Sequence, residues 1–354
     1  MRLIFCFIAI LFVFLLWPRR KRAEKSRLKK TRPIVFFATT FIDEDASRVF
    51  VPDRTCPFNC TFTSDPDYAS LSDVRVFHPT EFHGFFPEDN PNAVNVHVFF
   101  ESPVQLPDNA LKRNDYFNVT VSYRSTATVY VPYGEFVPNG NATQRQVTTK
   151  RKKVLASISN CDLVTSGRAA YLKELEKHIE VTKVGKCYSN RVDSLDQLVD
   201  DHYFFLAFEN SICPEYTSEK YWRLRNFIVP VVLSRGVLNS HNILNGTFIA
   251  ASDFESPLEL AKYLEFLIAN KSEYEKYFEW TQKLKPKKPA PGVYEIDYVK
   301  LACVFCRLAS QRPKLHAVNI ESYWNKSECG LSELEMSNLV TSTMRRRQSG
   351  NTDF

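Results

Sequence analysis

YFFLAFENSICPEYTSEKYWRLRNFIVPVVLS, residues 203–234, decides the fold. Its two apolar runs, 204–208 and 228–233, are too short for helices and rich in β-branched and aromatic side chains, as central parallel strands are. A polar turn over 210–217 separates them, and Ser218 is placed to cap a helix that starts at Glu219. The same alternation precedes this unit. Residues 154–158 read as a strand, 168–178 as an amphipathic helix and 179–184 as a strand, and 195–201 leads into the 204–208 strand. Alternation on this scale predicts a doubly wound parallel α/β sheet, with ligands bound beyond the carboxyl ends of the strands.

Nearer the amino terminus the pattern is looser. Short apolar segments at 34–40, 74–77, 94–100, 118–123 and 128–133 alternate with Pro, Asn and Asp turns. The loop 137–151, with Gly140, Asn141 and a basic run, marks the expected domain boundary. The expected organisation is a cytoplasmic tip (1–2), a membrane anchor (3–17), a stem (18–33), a first domain (34–150), a second domain (151–312) and a polar, partly disordered extension (313–354).

A chain of 354 residues with 44% apolar content buries a sizeable core. Its net charge of +6 is concentrated at one end, because residues 1–32 hold ten Lys or Arg against Glu24 alone, which leaves −3 on the rest. That balance excludes a basic nucleic-acid-binding surface. LIFCFIAILFVFLLW, residues 3–17, is continuously apolar and runs straight into PRRKR. At ~1.5 Å per residue it makes ~22 Å of helix against a ~30 Å hydrocarbon core, which suits a thin early-secretory membrane. Trp17-Pro18-Arg19 offers no small residues for cleavage, so the segment reads as an uncleaved signal anchor. The basic cluster at 19–32 argues for a cytoplasmic chain under the positive-inside rule. Two features outweigh it. Asn-x-Ser/Thr acceptors stand at Asn59, Asn118, Asn141, Asn245, Asn270 and Asn325, and eight of the nine cysteines lie beyond Cys6, an even set suited to an oxidising lumen.

FENS at 208–211, Tyr216 three places before Glu219-Lys220, and PVVL at 230–233 together resemble the α-1,3-fucosyltransferases, glycosyltransferase family ten. FFESP (99–103), YFNVTVSYRS (116–125), VPYG (131–134), SNC (159–161), DFESPLELAKYLEFL (253–267) and the CxxC of Cys303 and Cys306 follow in family order, so the resemblance covers roughly 33–312. It implies a GT-B arrangement of two Rossmann-like domains facing a cleft, and a type II Golgi membrane protein with a lumenal catalytic domain. The implied reaction is inverting transfer of L-fucose from GDP-β-L-fucose to the 3-hydroxyl of N-acetylglucosamine in N-glycans of glycoproteins. The other reading open at this stage is a catalytically silent lumenal glycan-binding protein on the same fold.

Such a transfer needs a base for the acceptor proton, countercharge for the departing diphosphate, and polar groups around an oxocarbenium-like sugar. Glu101 follows an apolar strand and precedes Pro103. On the residues alone it reads as a solvated loop carboxylate, whereas the resemblance implies that it is the base. Lys220 and Arg168 stand at helix starts, where backbone N–H groups and a cation together meet a diphosphate. The resemblance implies that both contact the nucleotide, although Arg168 lies one residue further from Ser159-Asn160 than the family pattern has it. Glu219 and Tyr216 match residues that contact the donor's ribose and sugar, and Ser159 and Asn160 are expected at the guanosine or phosphates. Glu209 and Asn210 read equally as structural or as donor contacts. No cofactor is required on this reading, a divalent metal at most stimulating; Asp65-Pro66-Asp67 reads as a turn, and His78, His83 and His97 lack metal-ligand spacing.

In the family the CxxC of Cys303 and Cys306 bridges back to two amino-terminal cysteines, for which Cys56 and Cys60 are the candidates. Cys161, Cys187, Cys213 and Cys329 stay unassigned. One departure stands out: Glu219 to Pro230 is two residues shorter than the family pattern, a shortening similar to that of invertebrate members. At 3.6 residues per turn the helix end rotates by ~200°, so the link to VPVVL must be rebuilt.

Overall fold

The computed structural model describes residues 30–81, 86–87, 90–108, 113, 115–140, 150–161, 166–190, 192, 195–222, 228–238, 243–287 and 296–330. The expected anchor, all but the last residues of the stem, Asn141, His83, the shortened segment at 223–227 and the extension from 331 onward lie outside them. Among the described residues no helix is long and apolar enough to cross a membrane.

The chain forms two compact units, each discontinuous in sequence. Unit 1 comprises the residues up to Val98, Tyr116–Val119 and Tyr298–Ala317; unit 2 comprises Phe99–Asp115, Thr120–Asp297 and the chain from Val318. Unit 1 carries β1 (Ile34–Phe37), β2 (Thr61–Thr63), β3 (Val74–Phe77) and β4 (Val94–Val98), parallel and in the order β2-β1-β3-β4. β1, β3 and β4 are buried along their whole length, as their apolar runs require. The helix Tyr298–Gln311 buries Leu301, Ala302, Phe305 and Ala309, with Phe305 meeting Phe37 and Phe50 at ring distances of 6.4 and 5.6 Å. Cys56–Cys303 and Cys60–Cys306 staple its face, which joins the CxxC to the two candidate amino-terminal cysteines and gives the connectivity that the sequence left open. Asp65 caps the turn Pro66–Tyr68 by accepting from the Asp67 N–H, so the DxD string is a turn.

β5 (Val119–Ser122) lies in unit 2 from Thr120 and pairs with β6 (Val129–Tyr130) from Val121 onward, and β7 (Phe136–Pro138) follows. The main sheet holds β8 (Lys152–Ser157), β9 (Val181–Val184), β10 (His202–Leu206), β11 (Val229–Val232) and β12 (Ile249–Ala250), all parallel, in the order β12-β11-β10-β8-β9. β13 (Leu284–Pro286) pairs antiparallel with β7. From β8 the chain moves outward to β9 and then returns to the other side of β8 as β10. The strand order therefore reverses between β8 and β10, and a crevice opens beyond their carboxyl ends.

Two expectations shift. β10 begins and ends two residues earlier than the apolar run at 204–208, which leaves Ala207 and Phe208 to lead the chain off the sheet. The helix at Glu219–Trp222 is a single turn. Ser218 Oγ lies 3.5 Å from the Lys220 N–H and is engaged more closely by side chains, so it caps only weakly.

Candidate active site

A cavity of about 400 Å³ opens at the carboxyl ends of β8 and β10, entirely within unit 2. Of the nine site residues expected from sequence, Glu101, Ser159, Asn160, Arg168, Asn210, Tyr216, Glu219 and Lys220 line it. Glu209 does not. Tyr133, Leu195 and Phe205 also face it and were not anticipated, although Tyr133 stands in the quoted VPYG.

Glu101 was expected in the first domain, but 99–115 packs with unit 2 because its hydrogen bonds lie there. Its Oε2 accepts from the Tyr216 hydroxyl at 2.7 Å and from Asn210 Nδ2 at 3.4 Å. Ser102 Oγ donates to Ser211 Oγ at 2.8 Å, and the Tyr133 hydroxyl donates to the Phe100 carbonyl. The residues on either side of Glu101 are thus held independently of the carboxylate itself. Glu215, just before Tyr216, has φ +62° and accepts from the Ser125 N–H at 2.8 Å. A left-handed non-glycine residue persists only where its surroundings fix it, and here it aims Tyr216 at Glu101. Burial, followed by the charge of Glu101, raises the Tyr216 pKa well above the usual range, so its hydroxyl stays a donor.

Lys220 is held by two carboxylates and a hydroxyl. Its Nζ lies 3.1 Å from Glu209 Oε2, 3.2 Å from Glu219 Oε1 and 2.8 Å from Ser218 Oγ. Burial pulls the ammonium down, but Glu209 and Glu219 outweigh it and its pKa stands above the ordinary lysine range. Glu209 is buried and accepts from both the N–H and the hydroxyl of Ser218, at 2.8 and 2.7 Å. Of the two roles open to it, the geometry supports the structural one: Glu209 braces Lys220 from behind.

Arg168 is only 2% exposed, at the start of the helix Arg168–Leu175 after Gly167 at φ +66°. It donates to the carbonyls of Phe208 and Asn160, one beyond each of the two central strands. Its Nε is buried without a partner, and burial lowers its pKa. Ser159 and Asn160 follow β8, and the Cys161–Cys187 bridge fixes that loop. Cys213–Cys329 anchors the turn between Asn210 and Tyr216. Both pairs were unassigned from sequence.

Of the asparagines in Asn-x-Ser/Thr sequences, Asn59, Asn245 and Asn270 are exposed. Asn118 is half-buried, its Oδ1 accepting from the Asn95 N–H at 3.0 Å, and Asn325 Oδ1 caps the turn at Ser327. Among the described residues no group of three or more His, Cys, Asp or Glu is placed to hold a metal ion.

Residues 147–323 match the model of the carboxyl-terminal part of glycosyltransferase family 10 (fucosyltransferase), and residues 19–134 match the fucosyltransferase amino-terminal model. An alpha-(1,3)-fucosyltransferase of Caenorhabditis elegans is 31% identical over 295 residues, 77% of this chain and 66% of that protein. A 4-galactosyl-N-acetylglucosaminide 3-alpha-L-fucosyltransferase of Homo sapiens is 31% identical over 279 residues, 75% of this chain and 72% of its own length. The glycoprotein 3-alpha-L-fucosyltransferase A of Drosophila melanogaster is 31% identical, with 48% of its length matched. The fold is that of an alpha1,3-fucosyltransferase crystallised with GDP-fucose, at a TM-score of 0.53 and 15% identity over 81% of this chain and 93% of that one. With a parallel sheet whose switch point carries FENS, Glu219-Lys220 and Arg168, and with both family models matched, the chain belongs to glycosyltransferase family 10, the fucosyltransferases.

Proposed function

We propose that the protein is an inverting α-1,3-fucosyltransferase that moves L-fucose from GDP-β-L-fucose to the 3-hydroxyl of N-acetylglucosamine in protein-linked N-glycans. The observation that carries this reading is the shared cavity: one carboxylate, Glu101, faces the same space as Lys220 and Arg168. Lys220 and the unpaired Nε of Arg168 bind the diphosphate, with Glu219 on the ribose hydroxyls and Ser159 and Asn160 beyond it. The acceptor oxygen attacks the anomeric carbon from the face opposite GDP. As the new carbon–oxygen bond forms, the bond to the diphosphate breaks and its electrons leave on GDP, while the hydroxyl proton passes to Glu101. Among the described residues Glu101 Oε1 accepts no hydrogen bond, while Oε2 is held by Tyr216 and Asn210, so one carboxylate oxygen is anchored and the other is available.

The same reading includes a GT-B cleft between two Rossmann-like domains, a type II anchor at 3–17 and a lumenal Golgi location. Four disulfides among the described residues and the exposed acceptors Asn59, Asn245 and Asn270 support the lumenal part.

The test is transfer of labelled fucose from GDP-fucose to a mixed N-glycan pool, with mass spectrometry of the products to read the acceptor. Glu101→Gln is expected to lower kcat by roughly 10²–10⁴-fold, and Lys220→Ala to weaken GDP retention as well. Wild-type rates in both variants would overturn the mechanism. GDP binding with no turnover on any acceptor would identify a silent glycan-binding protein instead.

A further inference from the structure

Trp324 lies one residue beyond the end of the family match and is 1% exposed. Its ring meets Phe99 edge-on at 5.1 Å and Tyr123 at 6.1 Å. Phe99 stands two residues before Glu101. Tyr123 packs on Tyr216 at 5.3 Å, and the Tyr216 hydroxyl holds the Glu101 carboxylate. The indole therefore backs both routes by which Glu101 is positioned: the chain that carries it and the tyrosine that orients it.

The segment bearing Trp324 is fastened on each side. Before it, Tyr323 shares a hydroxyl hydrogen bond of 2.7 Å with Ser122 and its carbonyl accepts from Arg124. After it, Glu328 pairs with Arg124 at 2.7 Å, Cys329 is bonded to Cys213, and the Gly330 N–H donates to the Ile212 carbonyl at 3.0 Å. Cys213 and Ile212 belong to the turn between Asn210 and Tyr216, two residues that touch Glu101. A segment that the sequence reads as part of a polar extension is thus tied into the wall behind the carboxylate.

We propose that Trp324, held in place by the Cys213–Cys329 bridge, is a positioning residue for Glu101. It does not line the cavity, so it acts through Phe99 and through the tilted Tyr123–Tyr216 ring pair. Removing the indole opens a void behind both, and neighbours relax into it. A carboxylate displaced by even 1 Å loses on the order of 10²-fold in rate. Lys220 and Arg168 stand on other supports, so donor binding is left in place. This inference rests on the fucosyl-transfer reading above.

The test uses the full chain with Trp324→Ala, Trp324→Phe and Cys329→Ser, measuring kcat, KM for GDP-fucose, GDP affinity by calorimetry and the thermal midpoint. In protein labelled with ¹³C at glutamate carboxyls, the Glu101 resonance is assigned by its loss in Glu101→Gln. Trp324→Ala is expected to lower kcat by roughly 10-fold to 100-fold and to move the Glu101 resonance, with KM for GDP-fucose and GDP affinity changed less than about twofold. Trp324→Phe restores most of the rate, and Cys329→Ser gives an intermediate loss. The proposal is overturned if Trp324→Ala lowers only the thermal midpoint, with kcat per folded enzyme and the resonance unmoved, or if GDP affinity falls as much as kcat. Should Trp324→Ala fail to fold, Cys329→Ser decides by the same readouts. Should wild-type protein transfer no fucose, the function above fails, and the Glu101 resonance alone decides this inference: displacement supports it and an unmoved signal overturns it.

Discussion

The Tyr216 hydroxyl donates to Glu101 Oε2 at 2.7 Å, joining the turn after FENS to the carboxylate within FFES. A hydrogen bond to a charged group contributes about 1.5–3 kcal/mol. Tyr216→Phe removes it while keeping the ring against Tyr123. We predict a fall in kcat of roughly tenfold or more, with KM for GDP-fucose little changed. Steady-state kinetics over a range of GDP-fucose concentrations checks this, and a rise in KM alone would mean that the hydroxyl binds donor instead.

Lys220 and Glu209 hold each other at 3.1 Å, with Glu209 only 6% exposed at its side chain. Lys220→Met leaves that carboxylate buried without its cation, a loss on the order of 3 kcal/mol. The thermal midpoint is predicted to fall and GDP affinity to drop at least tenfold. The pH sign follows from the raised Lys220 pKa. Its charge is fully present below the ordinary lysine value of about 10.4 and is lost only as pH rises through the higher folded value. GDP affinity should therefore be level between pH 7.5 and 8.5, and calorimetry showing a steep decline across that interval would contradict the assignment.

His97, fully buried in β4, has a pKa lowered to about 3, by burial first and then by the neighbouring His78. In the unfolded chain the imidazole takes its proton below about 6.5. The unfolded state then binds more protons, so stability falls as pH drops from about 6.5 toward 3, by up to about 1.4 kcal/mol per pH unit. Urea unfolding at pH 7 and pH 5 should reveal this slope. His97→Gln is predicted to flatten it, and parallel slopes in the two proteins would sink the idea.

Gly134 follows the cavity residue Tyr133, and a Cβ there would lie 2.2 Å from Trp222 Cδ2. Trp222 is buried and packs against Phe136 at 5.2 Å, so it has little room to yield. Gly134→Ala is predicted to cost about 1–3 kcal/mol and to lower kcat by displacing Tyr133. Thermal unfolding alongside initial rates measures both, and an unshifted midpoint would show that Trp222 moves freely.

Parts of this architecture were legible because they rest on local pattern. The runs around Phe204 and Val231 are too apolar and too short for anything but buried strands, and their parallel pairing puts FENS and Glu219-Lys220 beyond the strand ends. The eight cavity residues found in advance carry charge or hydrogen-bonding groups at such ends. What stayed hidden depends on distant contacts. Glu209 could not be assigned until Ser218 and Lys220 were seen to enclose it. The grouping of Glu101 with unit 2 follows from Ser102, Tyr133 and Tyr216, none adjacent to one another in sequence except Ser102 to Glu101 itself. The bridge Cys213–Cys329 joins residues 116 apart, and spacing alone cannot choose among the pairings open to four cysteines.

The bridges Cys56–Cys303 and Cys60–Cys306 span 247 and 246 residues. A ribosome adding roughly 5–20 residues per second needs on the order of tens of seconds to supply the helix Tyr298–Gln311 after Cys60 has emerged. During that time β1 to β4 lack the helix that covers Phe37 and Phe50, while Cys161 and Cys187, only 26 apart, arrive able to pair at once. Most of unit 2 can close before the amino-terminal sheet is complete. The first strands to be synthesised are thus among the last to mature, and the thiols of Cys56 and Cys60, like that of Cys213 ahead of Cys329, must be kept from premature exchange until their partners are made.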